Sequence, residues 1–204
     1  MSVPGASALE PTYNTDMRLN TPTILTLGRV AVIPVVLGLF YVDWSQARHA
    51  AALLFMAAAF TDWLDGYLAR AWNQTSNFGA FLDPVADKLL VAVALVMLLR
   101  DDPRSVMGVL VAIIIGREIT ISALREWLAE LGQRARVAVG MLGKLKTVAQ
   151  MTAIGLMLWQ TPLGPIPVYQ IGYVLLFLAA ALTIWSMIQY MRAAWPVMRE
   201  DFKK

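Results

Sequence analysis

Apolar stretches of about 20 residues recur six times along this chain, and they constrain its fold more than any other feature. A helix needs about 20 mostly apolar residues to cross the hydrocarbon core of a bilayer. The stretches run over 21–42, 49–69, 81–99, 106–124, 141–159 and 168–191. Only 15% of the 204 residues are charged, against about 25% in soluble domains. We therefore predict an all-α fold, an integral membrane bundle of six transmembrane helices.

The chain is predicted to form one membrane domain behind a polar tail. Turn-forming residues separate the apolar stretches at 43–45, 73–77, 101–103 and 162–165. Residues 1–17 are polar and rich in small residues and proline, and they lack the basic start and apolar core of a secretory signal. We predict a flexible tail over 1–17 and a membrane domain over 18–204. The chain has no cysteine, which excludes a disulfide framework and a thiolate metal site.

The charges of the predicted loops indicate an orientation. Only Arg48, Arg100 and Arg104 fall on one side, while ten basic residues fall on the other. These ten are Arg18, Arg70, Arg134, Arg136, Lys144, Lys146, Arg192, Arg199, Lys203 and Lys204. Because cytoplasmic loops carry an excess of Lys and Arg, both termini and the loops after spans two and four are predicted to be cytoplasmic. The net charge of +3 is then explained by loops facing anionic lipid, and nucleic acid is not expected as a partner.

Four acidic residues lie where a membrane helix should not carry charge. Asp62, Asp65, Asp83 and Asp87 fall near the cytoplasmic ends of spans two and three, and a carboxylate at membrane depth costs at least about 2.5–3.5 kcal/mol. The first pair is three residues apart and the second pair four, so each pair shares one helix face. The short loop between the spans favours antiparallel neighbours, which would oppose the two pairs across a narrow gap. Carboxylates from two helices predict a site for two divalent cations, Mg²⁺ or Mn²⁺, of the type used in phosphoryl chemistry.

Other interpretations of these acids are open at this point. They could instead cap the helix ends in water, without binding metal. A cation transporter would be expected to show broken helices near the midplane of the membrane, whereas these acids lie near one surface. A membrane prenyltransferase would need a second aspartate-rich motif and more spans than 204 residues supply.

The acids belong to a longer motif, Asp-x2-Asp-Gly-x2-Ala-Arg-x8-Gly-x3-Asp-x3-Asp, which occupies 62–87 as DWLDGYLARAWNQTSNFGAFLDPVAD. Its eight fixed residues resemble the signature of the CDP-alcohol phosphatidyltransferases, and the resemblance extends over nearly the whole chain from Arg18 onward. It implies the fold of that family, a homodimer, and a place in the bacterial cytoplasmic membrane with the active site facing the cytoplasm. It also implies transfer of a phosphatidyl group from CDP-diacylglycerol to a small alcohol, with release of CMP.

The resemblance further implies roles for individual residues. Asp62, Asp65, Asp83 and Asp87 would ligate two divalent ions that hold the diphosphate of the CDP-lipid. Asp87 would also be the general base that takes the proton of the acceptor hydroxyl. The remaining positions implied for binding the CDP-lipid are Gly66, Ala69 and Gly79 around the cytidine, Arg70 near the phosphates, and Asn20, Thr26 and Arg29 in the nucleotide site.

Three further stretches bear on the acceptor alcohol. They are 20–29 (NTPTILTLGR), 116–126 (GREITISALRE) and 144–150 (KLKTVAQ). They resemble family members that use sn-glycerol 3-phosphate and produce phosphatidylglycerophosphate. Members that produce cardiolipin, phosphatidylserine or phosphatidylinositol phosphate share the aspartate motif and stay open as alternatives.

Glycerol 3-phosphate carries a phosphate dianion, so its pocket needs cations. Arg117 lies in the middle of span four, where an arginine is costly and usually functional. Arg125 continues the same helical stripe toward the cytoplasmic end, and Lys144 and Lys146 begin span five. We predict that these four residues clamp the acceptor phosphate. The alternative is that Arg117 pairs with Glu118 and the lysines are ordinary cytoplasmic charges.

Overall fold

Six helices make up the part of the chain that a computed structural model describes, which is 21–72, 77–132 and 141–201. They are α1 Thr21–Leu39, α2 Ala47–Trp72, α3 Asn77–Asp101, α4 Ser105–Glu130, α5 Met141–Trp159 and α6 Val168–Asp201. Side chains are described for 25–62, 81–132 and 145–199. The prediction of an all-α chain with six helices is confirmed, while the predicted tail lies outside the described residues.

The helix ends follow the turn chemistry of the sequence. After α5, Gln160 and Gly164 adopt positive φ angles of 60° and 61°, and an antiparallel bridge joins Leu163 to Ile166. Helices α4 and α6 reach to Glu130 and Asp201, six and ten residues past the apolar stretches that predicted them. The apolar pattern marks only the length that avoids water, whereas backbone hydrogen bonds continue a helix through polar residues.

The packing of α1 is central to the arrangement. It lies against both α2 and α3, whereas α2 and α3 contact each other only sparsely among the described residues. The predicted pair of opposed neighbours is therefore bridged by a third helix. The closest pairing in this part of the chain is between α5 and α6. There Gly172 allows the approach, because a Cβ at this position would lie 2.9 Å from the backbone oxygen of Ala153.

Apolar side chains form both the interior and much of the exterior. The core contains Phe55, Leu90, Leu95, Ile114, Met157 and Leu176, all fully or almost fully buried. Large apolar side chains are also exposed on α2, α3 and α6, among them Leu53, Phe60, Phe81, Leu89, Phe177 and Trp185. Soluble monomers rarely expose so much apolar surface, and a lipid-facing exterior explains it. Within the described residues, Ser105–Glu130 and Val168–Arg199 are long and apolar enough to cross a membrane.

Polar contacts join three connections at one end of the bundle, which we call the loop end. These connections are residues 40–46, 102–104 and 160–167. Nη2 of Arg48 lies 2.7 Å from Oδ2 of Asp101, and Nε2 of His49 lies 2.6 Å from Oγ1 of Thr161. Because all three connections meet here, successive helices alternate in direction. Asp62 of α2 and Asp83 and Asp87 of α3 consequently lie toward the opposite end.

Candidate active site

A buried arginine of α1 joins the acidic residues of two other helices. The side chain of Arg29 is 1% exposed, and its Nη1 lies 2.6 Å from Oδ1 of Asp87 and 3.0 Å from Oδ1 of Asp62. The three residues lie about 12–15 Å from the nearest ends of their helices, at 1.5 Å per residue. The two carboxylates therefore converge on one point at a common depth in the bundle.

A second contact between α1 and α3 orients another acid. Oγ1 of Thr26 donates a hydrogen bond to Oδ1 of Asp83. Thr26 and Arg29 are three residues apart on α1, and Asp83 and Asp87 are four apart on α3, so one face of α1 meets one face of α3. Two of the three residues expected in the nucleotide site, Thr26 and Arg29, thus touch the acids directly.

The donor chemistry of this cluster fits a divalent cation. Carboxylate oxygens are the ligands that Mg²⁺ and Mn²⁺ prefer. The side chains of Asp62 and Asp87 are 38% and 31% exposed, so each keeps oxygen surface away from Arg29. Among the described residues, no group of three acidic or histidine side chains is close enough to hold a metal ion by itself. Asp65, a further predicted ligand, lies outside the described side chains.

A cavity of about 220 Å³ opens beside the two carboxylates. Four helices contribute to its described walls, with Asp62 from α2, Asp87 and Lys88 from α3, Glu118 from α4, and Gln150 from α5. Its volume equals about seven waters of the liquid, and pockets for drug-sized ligands start near 300 Å³. The cavity therefore suits a small polar molecule, and Asp87 lies where such a molecule could be deprotonated.

Glu118, which lies on the wall of this cavity, contacts two of the predicted phosphate-binding residues. Nζ of Lys146 donates a hydrogen bond to Oε1 of Glu118, and Nη1 of Arg117 lies 3.2 Å from the same oxygen. Nη2 of Arg117 also donates to Oγ of Ser186 at 3.1 Å. The pairing of Arg117 with Glu118, which the sequence left open, is thus present. Because Glu118 lines the cavity, its ion pairs keep Arg117 and Lys146 close to the site.

The other predicted site residues fall into two groups. Arg125 is described and is exposed on α4, two turns beyond Arg117. Seven others lie outside the described residues or side chains, namely Asn20, Asp65, Gly66, Ala69, Arg70, Gly79 and Lys144. The structure therefore brings together Thr26, Arg29, Asp62, Asp83 and Asp87 at one place, with Arg117 and Lys146 on Glu118 nearby.

Three residues of the cavity were missed as functional candidates. From the sequence, Lys88 is given no role, Glu118 is named only as a possible partner of Arg117, and Gln150 is included only as the last residue of a similar stretch. Each carried a signal, because a charged or amide side chain inside an apolar helix is costly unless something binds it. Their convergence on one cavity depends on the packing of α3, α4 and α5, which sequence spacing does not reveal.

The sequence of this chain is similar to those of a known protein family. A family model described as CDP-alcohol phosphatidyltransferase matches residues 19–185. A protein of Escherichia coli K12 named CDP-diacylglycerol–glycerol-3-phosphate 3-phosphatidyltransferase is 52% identical over 178 residues, which cover 87% of this chain and 96% of that protein. Proteins of the same name from Shigella flexneri and Salmonella choleraesuis are 52% and 51% identical over the same proportions.

Proposed function

This chain belongs to the CDP-alcohol phosphatidyltransferase family, and from that premise we propose that it transfers the phosphatidyl group of CDP-diacylglycerol to sn-glycerol 3-phosphate. The products are phosphatidylglycerophosphate and CMP, which places the reaction in phospholipid biosynthesis. The relatives that share half of its residues carry a name that states this donor and this acceptor. The structural observation that carries the proposal is the convergence of Asp62 and Asp87 on Arg29 at the wall of a cavity for a small polar molecule.

The acceptor hydroxyl must lose its proton as it attacks the phosphorus that bears the diacylglycerol. A new bond forms from that oxygen to phosphorus, the bond to the bridging diphosphate oxygen breaks, and CMP leaves with the electron pair. Asp87 lines the cavity and is proposed to take the proton as general base. The hydrogen bond from Arg29 at 2.6 Å fixes one carboxylate oxygen and leaves the other side of the group for the acceptor.

Binding the donor diphosphate requires positive charge beside these acids. We propose that Asp62, Asp65, Asp83 and Asp87 hold two divalent cations, Mg²⁺ or Mn²⁺. Such ions, when bound, screen the charge of the diphosphate and stabilise the departing phosphate oxygen. Thr26 and Arg29 orient the carboxylates from α1. The remaining residues proposed for the CDP-lipid are Asn20, Gly66, Ala69, Arg70 and Gly79.

The acceptor phosphate is proposed to bind in the cavity beside three cations. Lys88 lines the cavity, while Arg117 and Lys146 contact Glu118 on its wall. The buried Nε of Arg117 has no hydrogen-bond partner among the described residues, so this guanidinium retains donor capacity for a phosphate oxygen. Arg125 and Lys144 complete the proposed clamp.

The proposal includes the place of the protein in the cell. Its substrate CDP-diacylglycerol has acyl chains that stay in the bilayer, and the exposed apolar faces of α2, α3 and α6 suit contact with lipid. We propose six transmembrane helices within one membrane domain over 18–204, in the bacterial cytoplasmic membrane. The excess of basic loop residues supports cytoplasmic termini and a cytoplasmic active site. A homodimer is proposed from family membership alone, and cross-linking in membranes tests it.

An acceptor panel tests the proposed function. The purified protein is supplied with CDP-diacylglycerol, Mg²⁺ and one labelled acceptor at a time: glycerol 3-phosphate, serine, inositol phosphate or phosphatidylglycerol. We expect a labelled lipid with glycerol 3-phosphate only, in amounts equal to the CMP released. A lipid formed only with another acceptor would overturn the acceptor assignment, and no CMP with any acceptor would overturn the enzymatic function itself.

A further inference from the structure

The side-chain amide of Gln150, on α5, is buried but incompletely hydrogen-bonded among the described residues. Gln150 is only 4% exposed, yet its Oε1 is buried without a hydrogen-bond partner among the described residues. A buried carbonyl oxygen without a partner is destabilising, so such atoms are rare unless a ligand satisfies them. Gln150 lines the cavity together with Asp87 and Lys88. The side chain with this unsatisfied oxygen therefore borders the cavity that the acceptor is proposed to occupy.

The chemistry of the atom restricts what it can bind. An amide oxygen only accepts hydrogen bonds, so its partner must present an O–H or N–H group. A phosphate dianion presents neither. Its described polar neighbours in the cavity are Asp62, Asp87, Glu118, Lys88 and Thr147. The three carboxylates among them are acceptors like the amide, and neither Lys88 nor Thr147 donates a hydrogen bond to this oxygen. Of the groups on a polyol phosphate, only a hydroxyl satisfies this oxygen.

We infer that Gln150 is a specificity-determining residue, which accepts a hydrogen bond from the acceptor hydroxyl that does not react. The inference rests on the proposed function and deepens it. Glycerol 3-phosphate has two hydroxyls, of which one attacks phosphorus beside Asp87 and the other remains free. The residues that line the cavity offer each group a partner of its own: Asp87 for the reacting hydroxyl, Gln150 for the second hydroxyl, and Lys88 for the phosphate.

This assignment predicts discrimination against an acceptor that lacks the second hydroxyl. The probe is 3-hydroxypropyl phosphate, which keeps one hydroxyl and the phosphate. With the wild-type protein, kcat/KM for the probe should be about tenfold or more below that for glycerol 3-phosphate, because the amide oxygen then stays buried and unpaired. With Gln150→Met, which preserves volume but removes the amide, the two acceptors should react at nearly equal kcat/KM.

Two further variants separate selectivity from folding. Gln150→Glu keeps an acceptor oxygen in place, so it should retain the preference for glycerol 3-phosphate even though its charge raises KM for both phosphates. Gln170→Met makes the same exchange on an exposed residue of α6 at the loop end and should leave the preference of the wild type unchanged.

These experiments distinguish failure of the role of Gln150 from failure of the proposed function. An unchanged preference in Gln150→Met, or a wild-type protein that does not discriminate, would overturn the role of Gln150 and leave the proposed function standing. A wild-type protein that forms lipid from neither phosphate, but releases CMP with another alcohol, would overturn the proposed acceptor and this inference together.

Discussion

Replacing Arg29 by leucine tests how the acidic cluster is held together. Nη1 of Arg29 contacts Asp87 at 2.6 Å and Asp62 at 3.0 Å, and hydrogen bonds to charged groups contribute about 1.5–3 kcal/mol each. Breaking a fully buried ion pair costs about 3–5 kcal/mol. Both carboxylates here are about one third exposed, so water recovers part of that loss. We therefore expect Arg29→Leu to lower the free energy of unfolding by about 2–3 kcal/mol.

Thermal unfolding of the detergent-solubilised protein at a fixed scan rate measures this effect. For a chain of this size, each kcal/mol corresponds to about 2–4 °C, so Tm should fall by roughly 4–12 °C. Arg192→Leu, at an exposed position of α6, is the matched control and should change Tm little. In a double-mutant cycle with Asp87→Asn, the two effects should be coupled by more than about 0.5 kcal/mol. Additive effects, or a Tm for Arg29→Leu equal to that of Arg192→Leu, would refute the bridging role.

Three further predictions concern the base, the packing and the loop end. Asp87→Asn should lower the rate of CMP release about 10²–10⁴-fold. Binding of CDP-diacylglycerol should persist, as measured by equilibrium dialysis in micelles. A near-normal rate of CMP release would remove Asp87 from the mechanism. Gly172→Ala should destabilise the protein by about 1–3 kcal/mol, because its Cβ would lie 2.9 Å from a backbone oxygen of α5. Gly108→Ala is the control, since the nearest atom to a Cβ there is 3.9 Å away. Equal Tm changes for the two alanine variants would contradict the close contact at Gly172. Hydrogen bonds from Arg104 lower the pKa of Asp102 from 3.8 to about 2, so this stabilisation is present above pH 4 and is lost as the pH falls toward 2. Tm of Asp102→Asn should therefore fall less over that interval than Tm of the wild type, and parallel profiles would exclude the interaction.

The helical architecture and the shared faces of the acids were predictable because both depend on local periodicity. Apolar residues at helical spacing predict helices wherever they occur, and acids three or four residues apart lie on one side of any helix. The bounds were least accurate for α4 and α6, because these helices continue through polar residues to Glu130 and Asp201. Hydrophobicity alone does not show where a polar helix ends.

The partners of the acids were not predictable, because they come from distant parts of the chain. Arg29 is 58 residues from Asp87, and nothing in the spacing of either helix indicates that α1 lies between α2 and α3. The resemblance to the family placed Arg29 and Thr26 in a nucleotide site without saying what they contact. In the structure, Thr26 donates a hydrogen bond to Asp83 and Arg29 donates one to Asp87, so both residues orient carboxylates of the acidic cluster.

The balance of charge around the cavity also depends on helix packing, which the sequence does not reveal. The third predicted span, 81–99, contains a single cation, Lys88, which cannot balance four acids. In the structure Arg29 approaches Asp62 and Asp87 from α1, while Lys146 approaches Glu118 from α5. The site is therefore a mixed cluster of both signs, as is suitable for binding a diphosphate on one side and a phosphate on the other.

Isotope transfer from the acceptor tests the central claim most directly. Glycerol 3-phosphate labelled with ¹⁸O in its primary hydroxyl is incubated with the protein, CDP-diacylglycerol and Mg²⁺, and both products are analysed by mass spectrometry. If this hydroxyl attacks the phosphorus that bears the diacylglycerol, phosphatidylglycerophosphate carries the ¹⁸O and CMP carries none. Unlabelled lipid, or ¹⁸O in CMP, would contradict the reaction proposed for this cluster.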